Sequence, residues 1–364
     1  MSQAMQQPIL VMAGGTGGHV FPALAVAEIL RARGERVVWL GTRAGIEARV
    51  VPAADFAIEW MNVQGLRGKG LLTLLLAPFR LFRACWQAQQ ILRRTRPRAV
   101  LGLGGFVSGP GGLMAWLLNI PLFLHEQNAI AGLTNRILSR FATGIYVAFP
   151  EAADSLKGAQ CIGNPVRSEF SQVAEPADRL LLERDLPLKL LVIGGSLGAA
   201  ALNRILPQAI ACLDSEQRPE VRHQCGPKHL DTCRAHYNEA GVDAEVVSFI
   251  DDMAAAYGWA DLVVCRAGAL TVAELGAVGV AALLVPFPYA VDNHQFYNAL
   301  YLEKQDAAQV LPEDKLSAEG LALKLKFFQQ NRERLLQMAE NARNSFRADA
   351  GERLADAVLM GAVS

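Results

Sequence analysis

The sequence predicts an α/β protein built from two halves, each a parallel sheet covered by helices. Three observations carry this reading. Unbroken apolar runs, PILVMA, RVVWLG, AVLGLGG, PLFLHEQ and GIYVAF, alternate with helix-like runs, and the pattern resumes with LKLLVIGG, EVVSFID, DLVVCRAG and AALLVPF. Strands apolar on both faces belong in parallel sheets buried on both sides. The opening PILVMAGGTGGH is echoed half a chain later by LKLLVIGGSLGAAALN, each a strand, a glycine loop and a helix. A length of 364 residues with 52% hydrophobic content suits two cores rather than one.

The first crossover helix is marked by Leu24, Ala27, Ile29 and Leu30 at helical spacing. The polar, proline-bearing stretch NPVRSEFSQVAEPADRLLLERDLPLK reads as the linker between the halves. The closing runs RERLLQMAENARNSF and ERLADAVLM read as helices with charged faces. The amino terminus, MSQAMQQ, has neither the basic nor the apolar region of a signal peptide. No apolar run approaches the ~20 residues of a spanning helix. Six scattered cysteines without a CxxC pair predict reduced thiols in a cytosolic protein.

Formal net charge is zero, but its distribution is uneven. Between Trp60 and His125 there is no acidic residue, while Arg67, Lys69, Arg80, Arg83, Arg93, Arg94, Arg96 and Arg98 fall there. Within this basic stretch Leu71, Leu72, Leu75, Phe79, Phe82 and Trp86 follow roughly helical spacing, with Arg80 and Arg83 interleaved. Such a helix suits an anionic membrane surface or, alternatively, an ordinary packed position with a solvated basic edge. No aromatic pattern of a nucleic-acid-binding module accompanies it.

The glycine loops carry the chemistry. Strand, glycine loop and helix together make an anion site, because bare backbone approaches oxygen atoms and the first helical N–H groups point at the ligand. Two familiar nucleotide sites fit poorly: no GxxxxGK[ST] occurs, and GGTGGH lacks both the GxGxxG spacing and an acid after the second strand, which disfavours a dehydrogenase. In the second half, CRAGALTVAEL places Glu274 in a helix after a glycine turn, where a carboxylate suits a ribose diol or, alternatively, a solvated or capping position. Gly14, Gly15, Gly104 and Gly105, in GGTGGH and GGFVSGPGG, are placed either to cradle a diphosphate or to make tight turns. His223, Cys225, His229, Cys233 and His236 in HQCGPKHLDTCRAH form a possible zinc constellation, but their spacing matches no standard module. Asp251 and Asp252, at a helix start, suit capping.

MAGGTGGHVFP, LRGKG, LGLGGFVSGPGGL, HEQNAIAGLTNR, GNPVR, GGSLGA, FIDDMAAAY, CRAGALTVAE and DNHQFYNAL occur in this order across nearly the whole chain. Together they closely resemble the MurG family, the N-acetylglucosaminyltransferases that convert lipid I to lipid II in peptidoglycan synthesis. The resemblance implies a GT-B fold, two Rossmann-like domains with parallel sheets facing a cleft. It implies an acceptor- and membrane-facing domain over 1–166, with the last helix, 347–364, packed back on it, and a UDP-GlcNAc-binding domain over 167–346. The implied reaction is inverting transfer of GlcNAc from UDP-GlcNAc to the MurNAc 4-hydroxyl of lipid I, forming a β-1,4 link, at the cytoplasmic face of the inner membrane. No cofactor or metal is implied. Association with other cell-wall synthesis or division proteins is a family-level expectation.

Carried onto this chain, the family's donor contacts fall on Thr16, Gly17 and Gly18; on Asn128, toward the sugar; on Arg167 and Ser196, toward the diphosphate; on Ile250, whose backbone would meet uracil; on Ala269, Leu270, Thr271, Val272, Ala273 and Glu274, around diphosphate and ribose; and on Gln295, toward sugar hydroxyls. GGSLGA departs from the frequent GGSQGA, and Leu197 offers no hydrogen bond. His19 leaves the first glycine loop at a helix start, which disfavours imidazolium and suits a general base; a ligand-binding role is the alternative. His125 and Glu126 are rival bases, with buried structural roles as the simpler reading. Other GT-B enzymes, such as a diacylglycerol glycosyltransferase or a UDP-GlcNAc 2-epimerase, fit the acceptor-side motifs less well. A non-catalytic nucleotide-sugar-binding scaffold is the rival from a different class.

Overall fold

A computed structural model describes residues 7–63, 77–180, 186–195 and 198–362. Ser196, Leu72, Leu75 and the LRGKG motif lie outside these residues. The chain divides into two compact units, Met1–Arg167 with Arg347–Ser364, and Ser168–Phe346.

The first unit holds seven strands: β1 (Ile9–Ala13), β2 (Val37–Gly41), β3 (Ala57–Trp60), β4 (Ala99–Gly104), β5 (Leu122–Glu126), β6 (Gly144–Val147) and β7 (Gln160–Cys161). Their spatial order is β3-β2-β1-β4-β5-β6-β7, and every pairing is parallel. The second unit holds β8 (Lys189–Ile193), β9 (Glu220–Gln224), β10 (Glu245–Val247), β11 (Leu262–Cys265), β12 (Ala281–Leu284) and β13 (Ala308–Val310), in the order β10-β9-β8-β11-β12-β13, again parallel. Both are Rossmann-like sheets.

The period-2 geometry of a strand explains the continuous apolar runs. Along β1, Ile9, Val11 and Ala13 join one core and Leu10 and Met12 the other. The first core is closed by helices Gly17–Ala32 and Ala350–Gly361, through residues such as Val20, Ala23, Leu354 and Val358. The second is closed by helices Ala77–Thr95 and Ser108–Leu117, through Ala88, Ile91, Leu92 and Ala115. Each fully buried leucine or isoleucine contributes roughly 1.5–3 kcal/mol, so a sheet buried on both faces supplies most of the unit's stability. The final helix also carries Glu352 and Asp356, which pair with Arg33, the latter at 2.6 Å. These pairs are partly exposed and contribute little.

The structure departs from the sequence reading in two places. β3, β7, β9 and β13 are additional strands, short or polar, such as EVRHQ. The stretch read as a linker contains the short helices Ser168–Ser171 and Pro176–Leu180. Arg179 in the latter donates to the carbonyls of Gly258, Ala260, Val278 and Gly279. It fastens that segment to the second unit.

In each sheet the chain order reverses once. The reversal lies between β1 and β4 in the first unit and between β8 and β11 in the second. At such a switch point the loops leaving the two strands diverge and open a crevice at their carboxyl ends. The GGTGGH and GGFVSG loops leave β1 and β4; the GGSLGA and CRAGAL loops leave β8 and β11. The first pair requires bare backbone. Gly105 has φ +85°, and a Cβ there would lie 2.3 Å from the Gly14 carbonyl oxygen. Gly105→Ala is therefore expected to lower unfolding free energy by about 3 kcal/mol, read from the urea midpoint. A loss below about 0.5 kcal/mol would contradict this packing.

Candidate active site

The first glycine loop is organised from beneath by Glu47, a buried carboxylate that the sequence reading did not single out. Its Oε2 accepts from the Gly15 amide at 2.9 Å, and its Oε1 accepts from the amide and hydroxyl of Thr42 at 2.9 and 2.7 Å. Three donors satisfy a charge that would otherwise be costly to bury. The Gly15 amide therefore points into the protein, so any diphosphate contact from this loop falls to its other groups. Thr16 is the exposed N-cap residue of Gly17–Ala32, and its side chain makes no capping hydrogen bond. No acidic residue occupies the first turn of that helix, nor of Ala200–Ala211 or Ala269–Val278 in the second unit. All three helices thus present a positive end without a neutralising side chain in that turn.

His19 sits on the first turn of its helix. Its ring lies over Gly104, where a Cβ would come within 2.7 Å of Nδ1; the residue has φ +111° as well. His19 Nδ1 is 2.8 Å from Gln127 Oε1. Gln127 Nε2 lies 2.9 Å from the His125 carbonyl and 3.1 Å from His125 Nδ1. His125 Nε2 is 3.0 Å from the Gly163 carbonyl. His125 and Gln127 alternate with Glu126 along the end of β5, so they share one side of the sheet. Both are buried. Burial pushes the His125 pKa down to about 4, against smaller opposing effects of the Gly163 hydrogen bond and the Glu126 charge.

Glu126 is occupied otherwise. Its Oε1 accepts from the amide and side chain of Asn128, and its Oε2 accepts from the Gly132 amide and from Asn135 at 3.0 and 2.8 Å. The carboxylate is a buried organiser of the HEQN turn. Asn128 is thereby held at the turn's surface. Arg167, the last residue of this stretch of the first unit, stacks 5.2 Å over the Phe21 ring.

In the second unit, Gln224 holds Gly195, just after β8. Its Oε1 accepts from the Gly195 amide at 3.0 Å, and its Nε2 donates to the carbonyls of Gly195 and Ser248. The CRAGAL turn leads into Ala269–Val278, N-capped by Gly268, and this helix carries Ala269, Leu270, Thr271, Val272, Ala273 and Glu274. Glu274 is buried and accepts a 3.3 Å hydrogen bond from the Tyr257 hydroxyl. Tyr257 is a partner that no local spacing announces. Gln295 accepts through Oε1 from the Phe287 amide at 2.9 Å, which turns its NH2 end away from that contact. Ile250, half-buried, lies three residues beyond the end of β10. Asp252 caps Met253–Trp259 by accepting from the Ala255 amide at 2.8 Å.

The histidine–cysteine constellation is spent internally. His223 uses one ring nitrogen toward Tyr237 and the other toward Asn203. Burial pushes its pKa down to about 3 and that of Cys233 up to about 12. His236 contacts the Asn203 carbonyl. Among the described residues no group of three or more His, Cys, Asp or Glu is disposed to hold a metal ion.

The helix Ala77–Thr95 buries Ala84, Ala88, Ile91 and Leu92 and exposes the opposite face. Phe79, Phe82 and Trp86 are 68%, 70% and 55% exposed, beside exposed Arg80 and Arg83. Among the described residues no helix is long and apolar enough to cross a membrane.

Comparison with known proteins follows the same division. Residues 9–147 match the glycosyltransferase family 28 N-terminal domain, and residues 189–354 match the family's C-terminal domain. A protein of Alkalilimnicola ehrlichii is 56% identical over 351 residues, covering 96% of this chain and 98% of its own. One of Marinobacter nauticus is 52% identical over 362 residues, covering 100% and 99%. Both are named UDP-N-acetylglucosamine–N-acetylmuramyl-(pentapeptide) pyrophosphoryl-undecaprenol N-acetylglucosamine transferase. The crystal structure of Acinetobacter baumannii MurG aligns with a TM-score of 0.82 at 39% identity, over 98% of this chain and all of that one.

The buried histidines make stability depend on pH. Their folded pKa values lie below the unfolded value of about 6.5, so between those limits the unfolded chain binds more protons. Stability is fully present above about pH 6.5 and is lost as pH falls toward 4. His125 alone accounts for about 3 kcal/mol. Urea unfolding between pH 7 and 4.5 is expected to show this loss, and His125→Asn is expected to reduce the slope by about one proton; an unchanged slope would contradict the neutral buried ring.

Proposed function

The chain belongs to glycosyltransferase family 28, within its MurG group, and from this we infer its reaction. It transfers GlcNAc from UDP-GlcNAc to lipid I, the undecaprenyl-diphosphate-linked MurNAc pentapeptide, and forms lipid II in peptidoglycan synthesis. The observation that carries this is the full-length identity above 50% to transferases of that name, joined to glycine loops at both switch points.

The transfer is one inverting displacement. The MurNAc 4-hydroxyl oxygen attacks the anomeric carbon, the bond from that carbon to the UDP oxygen breaks, and UDP leaves with the electron pair. The hydroxyl proton passes to His19 Nε2, and the product is a β-1,4 link. Three features support this assignment: His19 stands at the mouth of a glycine loop, its Nδ1 is engaged by Gln127, and the neighbouring carboxylates Glu126 and Glu47 are each bound by several donors. A group whose lone pairs are already shared with backbone amides is a poor base.

The unit Ser168–Phe346 binds UDP-GlcNAc. Glu274, steadied by Tyr257, takes the ribose diol; residues 269–273 surround the diphosphate; the Ile250 backbone meets uracil; and the NH2 end of Gln295 meets sugar hydroxyls. In the first unit, the positions assigned to the donor are Thr16, Gly17, Gly18, Asn128 and Arg167, and the GGTGGH and GGFVSG backbones receive the acceptor diphosphate. Charge developing on UDP is met by helix N-termini and Arg167, so the reaction needs no bound metal. The enzyme works peripherally at the cytoplasmic face of the inner membrane, beside other cell-wall synthesis and division proteins. The exposed Phe79, Phe82 and Trp86 flanked by Arg80 and Arg83 support the membrane reading, since aromatic and cationic side chains together suit an anionic lipid interface.

UDP release measured with and without a short-chain lipid I analogue, in EDTA, tests the reaction. Acceptor-dependent release that survives EDTA is expected. Release without acceptor indicates hydrolysis or epimerase chemistry, and binding without release indicates a scaffold. His19→Ala is expected to lower kcat by roughly 10²- to 10⁴-fold with little change in UDP-GlcNAc binding; equal loss of both would remove the base assignment. In sedimentation with anionic vesicles, changing Phe79, Phe82 and Trp86 together to Ser is expected to weaken binding at least about tenfold. Unchanged binding would place the membrane contact elsewhere.

A further inference from the structure

The base reading leaves open what decides which nitrogen of His19 carries the proton. Two backbone carbonyls decide it. A carbonyl only accepts, so the His125 nitrogen facing the Gly163 oxygen at 3.0 Å must be N–H; that is Nε2. His125 is neutral, because burial holds its pKa near 4. Its Nδ1 is then a lone pair that needs a donor. The group facing it at 3.1 Å is one end of the Gln127 amide. The same end lies 2.9 Å from the His125 carbonyl, a second pure acceptor. Both contacts require that end to be the NH2. The other end, Oε1, is therefore an acceptor directed at His19 Nδ1 at 2.8 Å, and Nδ1 must carry the hydrogen.

We propose that Gln127 and His125 are positioning residues that lock neutral His19 in the Nδ1–H tautomer, leaving the Nε2 lone pair to receive the acceptor proton. This rests on His19 being the base. The orienting group is a neutral amide rather than a carboxylate, so it fixes the ring without adding charge beside it. After transfer, the imidazolium keeps its Nδ1–H on Gln127, because an amide oxygen does not accept the proton outright, and the proton gained at Nε2 leaves from Nε2. Gly104 completes the device, since any side chain there would displace the ring. The lock lies within one unit and is set before substrate arrives.

The ring nitrogens report this directly. The chain has six histidines. With 15N-labelled histidine in the full chain at pH 8, and the His19 signals assigned by their disappearance in His19→Asn, Nδ1 is expected to be pyrrole-type and Nε2 pyridine-type. A protonated Nε2 in the wild-type chain overturns the proposal and needs no variant to be folded. Gln127→Met removes the amide at similar volume. It is expected to mix the two tautomers and lower kcat roughly 10²-fold, with KM for UDP-GlcNAc within about threefold. An unchanged tautomer and unchanged kcat in Gln127→Met overturn the lock. If His19→Asn retains full kcat, the base reading falls instead, and the ring spectra still decide the tautomer lock on its own.

Discussion

The first unit depends on how closely two backbones approach at the carboxyl ends of β1 and β4. These strands are sheet neighbours, and their glycine loops meet where they leave the sheet. Near Gly14 and Gly105 there is no room for even a methyl group. That closeness lets the His19 ring lie over Gly104 and reach Gln127, which stands at the end of the next strand. In the same loop the Gly15 amide turns inward, where Glu47 accepts its hydrogen bond. The position of the His19 ring, its contact with Gln127 and the loop geometry are consequences of one packing constraint.

Charge is distributed around this constraint with economy. Two carboxylates, Glu47 and Glu126, are buried beside the loops, and each is surrounded by backbone and side-chain donors. Buried in this way they act as rigid staples for the turns. His125 contributes hydrogen bonds without charge, and Gln127 passes that order on to His19. The second unit uses the same device in a neutral form, with Gln224 holding Gly195 through both ends of one amide.

Much of this was legible in sequence, and the reasons for the remainder are physical. β1, β4, β5, β8, β11 and β12 are apolar on both faces, so their runs are continuous and the motifs at their ends could be placed. EVRHQ and AIEW are polar or peripheral strands whose pairing comes from neighbours far along the chain, and no local pattern marks them. The segment 168–180 looks like a linker because it is polar, but Arg179 binds four carbonyls that converge only in the folded unit. His19 stands out beside its glycines. Its partner Gln127 lies 108 residues away in sequence, inside a motif in which histidine and glutamate are the more conspicuous chemistry. Glu47 and Tyr257 are likewise separated in sequence from the groups they hold, Gly15 and Glu274.

The last helix has a consequence for the order of assembly. Leu354, Ala355 and Val358 fill the core beneath helix Gly17–Ala32, so the unit that holds the earlier strands lacks part of its interior until residues 350–361 emerge from the ribosome. The unit 168–346 is continuous and has all its parts earlier. At roughly 5–20 residues per second, its synthesis keeps the opening sheet waiting about 10–40 s with an apolar face incompletely covered. A nascent chain stalled or truncated before residue 347 would thus carry one finished unit and one exposed core, a state that invites chaperone binding and degradation.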